Sequence, residues 1–151
     1  MTDHADDQWT LHIDGSASPN PGRMGVGAWL RAPDGHEHTL SRLLPGGGCN
    51  NEAELRALLT ALPWAVALGA CNLLICTDSR LLVDHVTPGG KAPHPRLQDL
   101  VSRAQSLLAE HTALTLKWVP RHRTGQADAL ARAALGMPPK PVTMPHPARR
   151  P

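Results

Sequence analysis

Four acidic residues stand in short motifs whose residue types and spacing suit the binding of a divalent metal ion. They are Asp14 in IDGS, Glu54 in NNEAEL, Asp78 in CTDS and Asp128 in QADALA. A carboxylate that ends a buried strand is unfavourable unless it is paired or binds a cation, because burial penalises its ionised form. Several carboxylates that converge without matching Lys or Arg side chains indicate a hard divalent ion. Each residue alone could equally be a turn residue or a helix cap, so the prediction rests on the set.

Glu52 competes with Glu54 for the glutamate position, since it lies two residues earlier in the same acidic motif. Residues two apart point about 200° apart around a helix, so only one of them can face a shared ion. Helical geometry alone does not say which one.

The first third of the chain, which must position Asp14, is predicted to be an antiparallel meander. Alternating apolar and polar residues predict its strands, at 8–14, 25–31 and 37–44. Between the first two strands, residues 15–22 predict a tight irregular loop. Pro33-Asp34-Gly35 predicts the hairpin turn before the third strand.

The rest of the chain alternates helices with strands. Pro45-Gly46-Gly47-Gly48 should break the chain before a helix that starts near Asn51, with Asn50 or Asn51 as its cap. Pro63 should either kink this helix or split it in two, and both outcomes remain open. The later elements are a strand at 72–77, helices at 79–86 and about 97–108, a strand at 113–119, and a helix at 125–135 that Gly136 ends. The order β-β-β-α-β-α-α-β-α predicts an α/β fold with one mixed sheet.

Composition and charge predict one globular domain. The chain has 151 residues, of which 41% are hydrophobic and 19% charged, a balance typical of folded proteins. We expect a disordered N-terminus over 1–7, a folded domain over 8–136, and a proline-rich tail over 137–151 that is disordered or serves as an extended docking segment. The net charge of +2 excludes the strongly basic class that holds nucleic acid by electrostatics alone.

The N-terminal stretch lacks the apolar segment of a secretion signal, and no run of about 18 apolar residues occurs, so we expect a soluble, cytoplasmic protein without membrane contact. Three cysteines without C-x-x-C spacing predict reduced thiols that bind no metal. The nine scattered histidines form no zinc-binding pattern.

The motifs, taken in order, resemble the ribonuclease H family of type 1. The resemblance rests on DGS, NN-x-x-EL, TDS, WVP-x-H and x-AD-x-LA, and it covers about Trp9 to Leu135. It implies a ribonuclease H-like α/β fold, in which a five-stranded mixed sheet, a three-strand antiparallel meander followed by parallel strands, is flanked by helices. The glutamate of the family directly precedes a leucine, which selects Glu54 over Glu52.

The resemblance also implies an activity. It implies an endonuclease that hydrolyses the RNA strand of RNA–DNA hybrids by two-metal-ion catalysis and leaves 5′-phosphate and 3′-hydroxyl ends. Two Mg²⁺ ions would be bound, with Mn²⁺ as a substitute. Asp14 would bridge both ions, Glu54 and Asp78 would complete the site of the leaving-group ion, and Asp128 would serve the ion that activates the nucleophile.

The same resemblance implies that His122, in the WVPRH segment, aids product release or proton transfer. The alternative is that His122 is a solvated histidine on a loop. Substrate recognition is expected from amides and short polar groups that can reach 2′-hydroxyls in a wide minor groove. The candidates are Gly15, Ser16, Asn20, Asn50 and Asn51. Turn and capping chemistry would also explain each of these five residues.

Two other functions compete with this hypothesis. A DNA nuclease on the same fold would share the carboxylates, but the combination of NN-x-x-EL and TDS argues against it. A non-catalytic nucleic-acid-binding module would tolerate loss of a carboxylate, whereas all four are present. We therefore expect an RNA–DNA hybrid as the partner of a monomer that needs no other protein. Affinity should be modest, since Thr87–Pro95 offers only Lys91 as a basic residue.

Overall fold

The computed structural model describes residues 7–139, and its five strands form one sheet in the order β3-β2-β1-β4-β5. The strands are β1 (Gln8–Ser18), β2 (Gly22–Arg31), β3 (Glu37–Gly48), β4 (Asn72–Thr77) and β5 (Leu114–Trp118). The helices are α1 (Asn50–Ala67), α2 (Arg80–His85), α3 (Gln98–Ala109) and α4 (Gly125–Ala134), with 3₁₀ turns at Pro95–Leu97 and Arg121–Arg123. The first three strands pair antiparallel, while β4 pairs parallel with β1 and β5 parallel with β4. The predicted mixed sheet and element order are confirmed.

One face of the sheet is covered by α1, which brings the NNEAEL segment of this helix to β1. The leucines Leu55, Leu58 and Leu62 of α1 are fully buried, as helical spacing predicts. They belong to the main hydrophobic core together with Leu11 and Ile13 of β1. Burying such side chains contributes roughly 1.5–3 kcal/mol each to stability.

The opposite face is covered by α4, which lies directly on two glycines of β2. A Cβ atom on Gly27 would overlap the carbonyl oxygen of Ala127, and one on Gly25 would lie 2.6 Å from that of Ala131. The hydroxyl of Ser41 on β3 also donates to the carbonyl of Leu130 at 2.7 Å. Glycine therefore lets the helix backbone approach the sheet closely.

Two predicted boundaries in the meander are wrong. The loop predicted over 15–22 is mostly strand, because β1 pairs with β2 as far as Ser18 opposite Arg23. The glycines expected to break the chain after residue 44 belong to β3, since Gly47 and Gly48 pair with β2 beyond an irregularity between Arg23 and Gly25. Backbone pairing needs no side chain, so small residues extended both strands without an alternating pattern.

The start of α1 also differs from the prediction. The residue at the N-cap position is Cys49, and neither asparagine caps through its side chain. Instead, the side chain of Asn50 accepts a hydrogen bond from the amide of Ala17 at 2.8 Å. The amide of Asn50 donates to the side chain of Asn20 at 3.0 Å. These two bonds tie the helix start to the β1–β2 turn.

Several other predictions can be compared with the structure. Pro63 does not split its helix, since α1 is continuous through it. Gly136 ends α4 with a positive φ of 73°, as expected.

Of the predicted tail, Met137 and Pro138 are hydrogen-bonded to Arg132 of α4. The disorder predicted for 1–6 and 140–151 lies outside the described residues. In the described part, no helix combines the length and apolarity needed to span a bilayer.

Candidate metal centre

Asp14 lies in the middle of β1 rather than at its end, and the sheet places it beside Asp78. His12 pairs with Cys76 in the parallel ladder, so two residues further along, Asp14 comes level with Asp78, just past the end of β4. On its other side, Asp14 pairs with Gly27. The prediction that Asp14 ends its strand is wrong, while the prediction for Asp78 is confirmed.

Glu54 reaches the same place from α1 because the first turns of this helix lie against β1. A Cβ atom on Gly15 would overlap the carbonyl group of Ala53, so only glycine permits this approach. One carboxylate oxygen each of Asp14, Glu54 and Asp78 lie within 4.8 Å of one another. Three elements, β1, α1 and the end of β4, thus bring three carboxylates together.

Asp128 joins this group from α4 on the other face of the sheet. Its side chain hydrogen-bonds with that of Asp14. The close packing of α4 on Gly27, the residue opposite Asp14, sets this contact. Of the four predicted ligands, three form the tight cluster and the fourth contacts it through Asp14.

The electrostatics of the cluster disfavour negative charge. Burial, followed by the nearby charges of Asp78 and Asp128, raises the pKa of Asp14 to about 8. Burial, followed by the charges of Asp14 and Asp78, raises the pKa of Glu54 well above its usual range. Arg121 opposes both shifts only in part. A bound cation would offset the burial and the repulsion that raise the pKa of Asp14 and of Glu54.

The donor atoms fit a hard divalent cation. All four side chains offer carboxylate oxygens, the ligands that Mg²⁺ and Mn²⁺ prefer. The Oε2 atom of Glu54 is buried and has no hydrogen-bond partner among the described residues. A buried acceptor without a partner is rare in folded proteins and is explained here if it ligates an ion.

Asp78 is held by a shell of neighbours. The hydroxyl of Thr124 donates to its Oδ2 at 3.1 Å, and Nε of Arg121 lies 3.7 Å from the same oxygen. Its carbonyl oxygen accepts from the indole N–H of Trp118 at 3.3 Å. The guanidinium of Arg80 stacks on that indole ring at 4.5 Å. Two exposed cations therefore lie in the surroundings of Asp78, Arg121 beside its carboxylate and Arg80 on the ring of Trp118.

Glu52 does not reach the cluster. Its Oε1 lies 4.0 Å from the sulfur of Cys49, and its carboxylate faces Gly48. Glu54, and not Glu52, therefore lies with Asp14 and Asp78, and its role as a metal ligand stays a prediction. Ser79 strengthens that arrangement, since its hydroxyl hydrogen-bonds Glu54 while also accepting from the amide of Leu82 at the start of α2.

His122 is exposed in the middle of the Arg121–Arg123 turn. It lies outside the tight carboxylate cluster, and its assisting role stays a prediction.

The five predicted substrate contacts separate into two groups. Gly15, Asn20 and Asn50 have structural roles, the first in helix packing and the other two in the hydrogen bonds that start α1. Ser16 is half-buried on β1, two residues beyond Asp14 on the same side of the strand, and Asn51 is exposed in the first turn of α1. Among the five, Ser16 and Asn51 are the residues for which substrate binding has no competing structural explanation.

Thr124 and Trp118 were not predicted as part of the site. The first is 1% exposed and lies four residues before Asp128, and such a residue is explained from sequence as a helix cap. The contact between this buried threonine and the Asp78 carboxylate can be recognised only from the folded structure.

Comparisons with known proteins agree with this geometry. A family model described as reverse transcriptase-like matches residues 12–134. The bifunctional protein Rv2228c of Mycobacterium tuberculosis is 37% identical over 127 residues, which are 83% of this chain and 35% of that protein. The chain thus spans about a third of the length of that relative.

Two solved structures share the fold. RNase H1 of the halophilic archaeon Halobacterium salinarum superimposes with a TM-score of 0.78 at 32% identity, over 85% of this chain and 98% of that one. LC11-RNase H1, isolated from compost and solved in complex with an RNA/DNA hybrid, gives a TM-score of 0.75 at 26% identity, over 85% and 96% of the two chains.

Proposed function

The chain belongs to the ribonuclease H family, and from that premise we propose that it hydrolyses the RNA strand of RNA–DNA hybrids as an endonuclease. The observation that carries the proposal is the convergence of Asp14, Glu54 and Asp78 within 4.8 Å, with a buried Glu54 oxygen that lacks a partner. Asp128 adds a fourth carboxylate through its contact with Asp14. This arrangement suits phosphodiester hydrolysis by divalent ions.

The four carboxylates would hold two Mg²⁺ ions, for which Mn²⁺ could substitute. Asp14 would serve both ions, since it contacts Asp128 on one side and lies with Glu54 and Asp78 on the other. When bound, such a pair of ions stabilises the charge on the attacking water and on the leaving 3′ oxygen. Water oxygen bonds to phosphorus, the P–O3′ bond breaks, and a proton ends on the 3′ oxygen, giving 5′-phosphate and 3′-hydroxyl products.

The residues around the cluster would orient the substrate. Arg121, beside the Asp78 carboxylate, and Arg80, stacked on Trp118, would contact phosphates of the substrate. Ser16 and Asn51 are our candidates for contact with 2′-hydroxyls, which distinguish RNA from DNA. His122, exposed on the turn next to Arg121, would assist proton transfer or product release.

The first test uses an end-labelled RNA–DNA hybrid and matching RNA and DNA duplexes, each incubated with Mg²⁺ or with EDTA. We expect internal cuts confined to the RNA of the hybrid and dependent on Mg²⁺. Cutting of the DNA duplex would instead identify a DNA nuclease on the same fold. Binding of the hybrid without any cut would identify a non-catalytic module.

Variants link this activity to the proposed ligands. Glu54→Gln and Asp78→Asn should each lower the cleavage rate by 100-fold or more, roughly the scale of losing a group that stabilises the transition state. Hybrid binding should be largely preserved, because each change removes a charge but keeps the shape. Glu52→Gln is the matched control, as it makes the same change in the same helical turn outside the cluster. An inactive E52Q with an active E54Q would contradict the assignment.

A further inference from the structure

Thr124 is a buried polar residue at a helix N-cap position, but its hydroxyl contacts Asp78 and does not cap the helix. It occupies the N-cap position of α4, where the side-chain oxygen of threonine usually accepts from an amide of the first turn. No such bond is made by its side chain. Its hydroxyl instead lies 3.1 Å from Oδ2 of Asp78 and 3.0 Å from the carbonyl oxygen of Arg121.

The hydroxyl carries one proton, and both of these neighbours are acceptors. A bond to an ionised carboxylate is shorter and stronger than one to a neutral carbonyl, so the charged form of Asp78 is the preferred acceptor. The contact from Nε of Arg121, at 3.7 Å, falls on the same carboxylate oxygen. Both neighbours therefore hold Asp78 by Oδ2, and neither occupies its Oδ1.

The main chain of Thr124 holds a second ligand. Its carbonyl oxygen accepts a hydrogen bond from the amide of Asp128 at 2.9 Å. One residue, only 1% exposed, thus contacts the side chain of Asp78 after β4 and the backbone of Asp128 on α4. These two carboxylates belong to different elements, since Asp78 follows strand β4 and Asp128 lies on helix α4.

We propose that Thr124 is a positioning residue that fixes the orientation of the Asp78 carboxylate relative to Asp128 for binding of the divalent ions. This inference deepens the proposed function and rests on it for the catalytic consequence. Partners that orient a ligand but do not touch the ion commonly change metal affinity or activity by about 10–100-fold when removed. A simple helix cap would affect stability instead.

The test compares Thr124→Val, which keeps the shape and removes the hydroxyl, with Thr124→Ser, which keeps the hydroxyl. Thr115→Val is the control, since Thr115 is exposed on β5. Calorimetric titration with Mn²⁺, without substrate, gives metal affinity, and cleavage assays give kcat and KM for the hybrid. We expect T124V to lose about 10-fold or more in Mn²⁺ affinity and in kcat, with KM changed less than about 2-fold. T124S and T115V should match wild type within about 3-fold.

Two results would overturn the proposal. One is wild-type Mn²⁺ affinity and kcat in T124V. The other is an equal loss in T124V and T124S with a lowered Tm in both, because the hydroxyl would then be irrelevant and only the fit of the side chain would matter. The Mn²⁺ titration needs no substrate, so it tests Thr124 even if the wild-type protein fails to cut the hybrid.

Discussion

Asp14 is surrounded by features that disfavour its charge: it is buried and lies beside Asp78 and Asp128. Its pKa is about 8 in the folded protein, against 3.8 for an unperturbed aspartate. Between these pH values the folded protein keeps a proton that the unfolded chain has released. The free energy of unfolding without metal therefore decreases as pH rises from about 4 to about 8, and this loss is complete above the folded pKa.

Asp14→Asn should remove this loss, because an amide has no charge to bury. At pH 8 in EDTA, we expect the variant to be more stable than wild type by roughly 1–3 kcal/mol, or about 2–10 °C in Tm. The difference should shrink toward pH 4, where both proteins are neutral at this position. Thermal unfolding across this pH range measures it. Asp99→Asn, at an exposed site on α3, is the control and should show no gain.

A divalent metal ion should reverse the order of thermal stability of wild type and D14N. Excess Mg²⁺ or Mn²⁺ at pH 8 should raise the Tm of wild type more than that of D14N, since ligand binding to the folded state stabilises it by mass action. An equal rise in both proteins would contradict a role for Asp14 as a ligand.

The ligands could be predicted from the sequence to different degrees. Asp78 directly follows a predicted buried strand, which made it a candidate, although the other three carboxylates were needed to distinguish it from a turn residue. Helical phase showed only that Glu52 and Glu54 cannot both face the ion, and the family resemblance was needed to choose Glu54. Thr124 was missed because its position before α4 already has a local explanation as a cap, and its contact with Asp78 joins residues 46 positions apart.

At the scale of elements, the position of Asp128 depends on how closely α4 approaches β2. Gly27→Ala would place a methyl group into the backbone of α4 at Ala127 and Ala131. We expect a loss of roughly 2–4 kcal/mol in the free energy of unfolding, together with a large loss of cleavage, because the helix must move and carry Asp128 with it. Chemical denaturation and the hybrid assay measure the two effects.

Gly125→Ala is the matched control for this substitution. A Cβ atom at Gly125, in the first turn of α4, would meet no atom within 4 Å. Alanine has the higher helix propensity, so this change should leave stability unchanged or raise it by up to about 1 kcal/mol. Equal destabilisation by G27A and G125A would contradict the close-packing explanation, because a Cβ atom at Gly125 meets no neighbouring atom.

Pro63 tests how much the stability of helix α1 depends on its backbone hydrogen bonds. It is exposed within α1, where it lacks the amide that would bond to the preceding turn. Pro63→Ala should restore that bond and raise the free energy of unfolding by roughly 1–3 kcal/mol. Cleavage should not change, since Glu54 lies nine residues away, about 13 Å along the helix. A destabilised P63A would mean that the surrounding structure depends on the proline ring.

The elements themselves were predictable wherever a periodic apolar pattern existed. β4 matches its predicted bounds, and the leucines of α1 face the core as their spacing indicates. The strand extensions at Gly15–Ser18 and at Gly47–Gly48 were not predictable, because these small residues are explained by tertiary packing. Gly15 is glycine so that α1 can approach, and single-strand patterns contain no information about a helix 38 residues later.

At the scale of the whole molecule, the weak net charge of +2 makes the distribution of cations more important than their number. Three exposed arginines lie on segments next to the carboxylate cluster: Arg121 is 3.7 Å from the Asp78 carboxylate, Arg123 is on the same turn, and Arg80 stacks on Trp118. Such a group would attract phosphates to the metal centre while the rest of the surface contributes little. Binding should therefore depend on salt through only a few contacts.

This distribution predicts a shallow salt dependence of hybrid binding. With about three phosphate contacts, log Kd should change with log salt concentration with a slope of magnitude near 2–3, since each contact contributes about 0.9. Fluorescence anisotropy of a labelled hybrid with the inactive Asp78→Asn protein, between 50 and 200 mM KCl, measures it. Arg80→Gln in that background should weaken binding and reduce the slope by about 1. Arg103→Gln is the control, because Arg103 lies on α3 and pairs with Asp99 at 3.8 Å. If R80Q and R103Q reduced the slope equally, attraction would come from overall charge, and the arginines around the cluster would have no special part in holding the substrate.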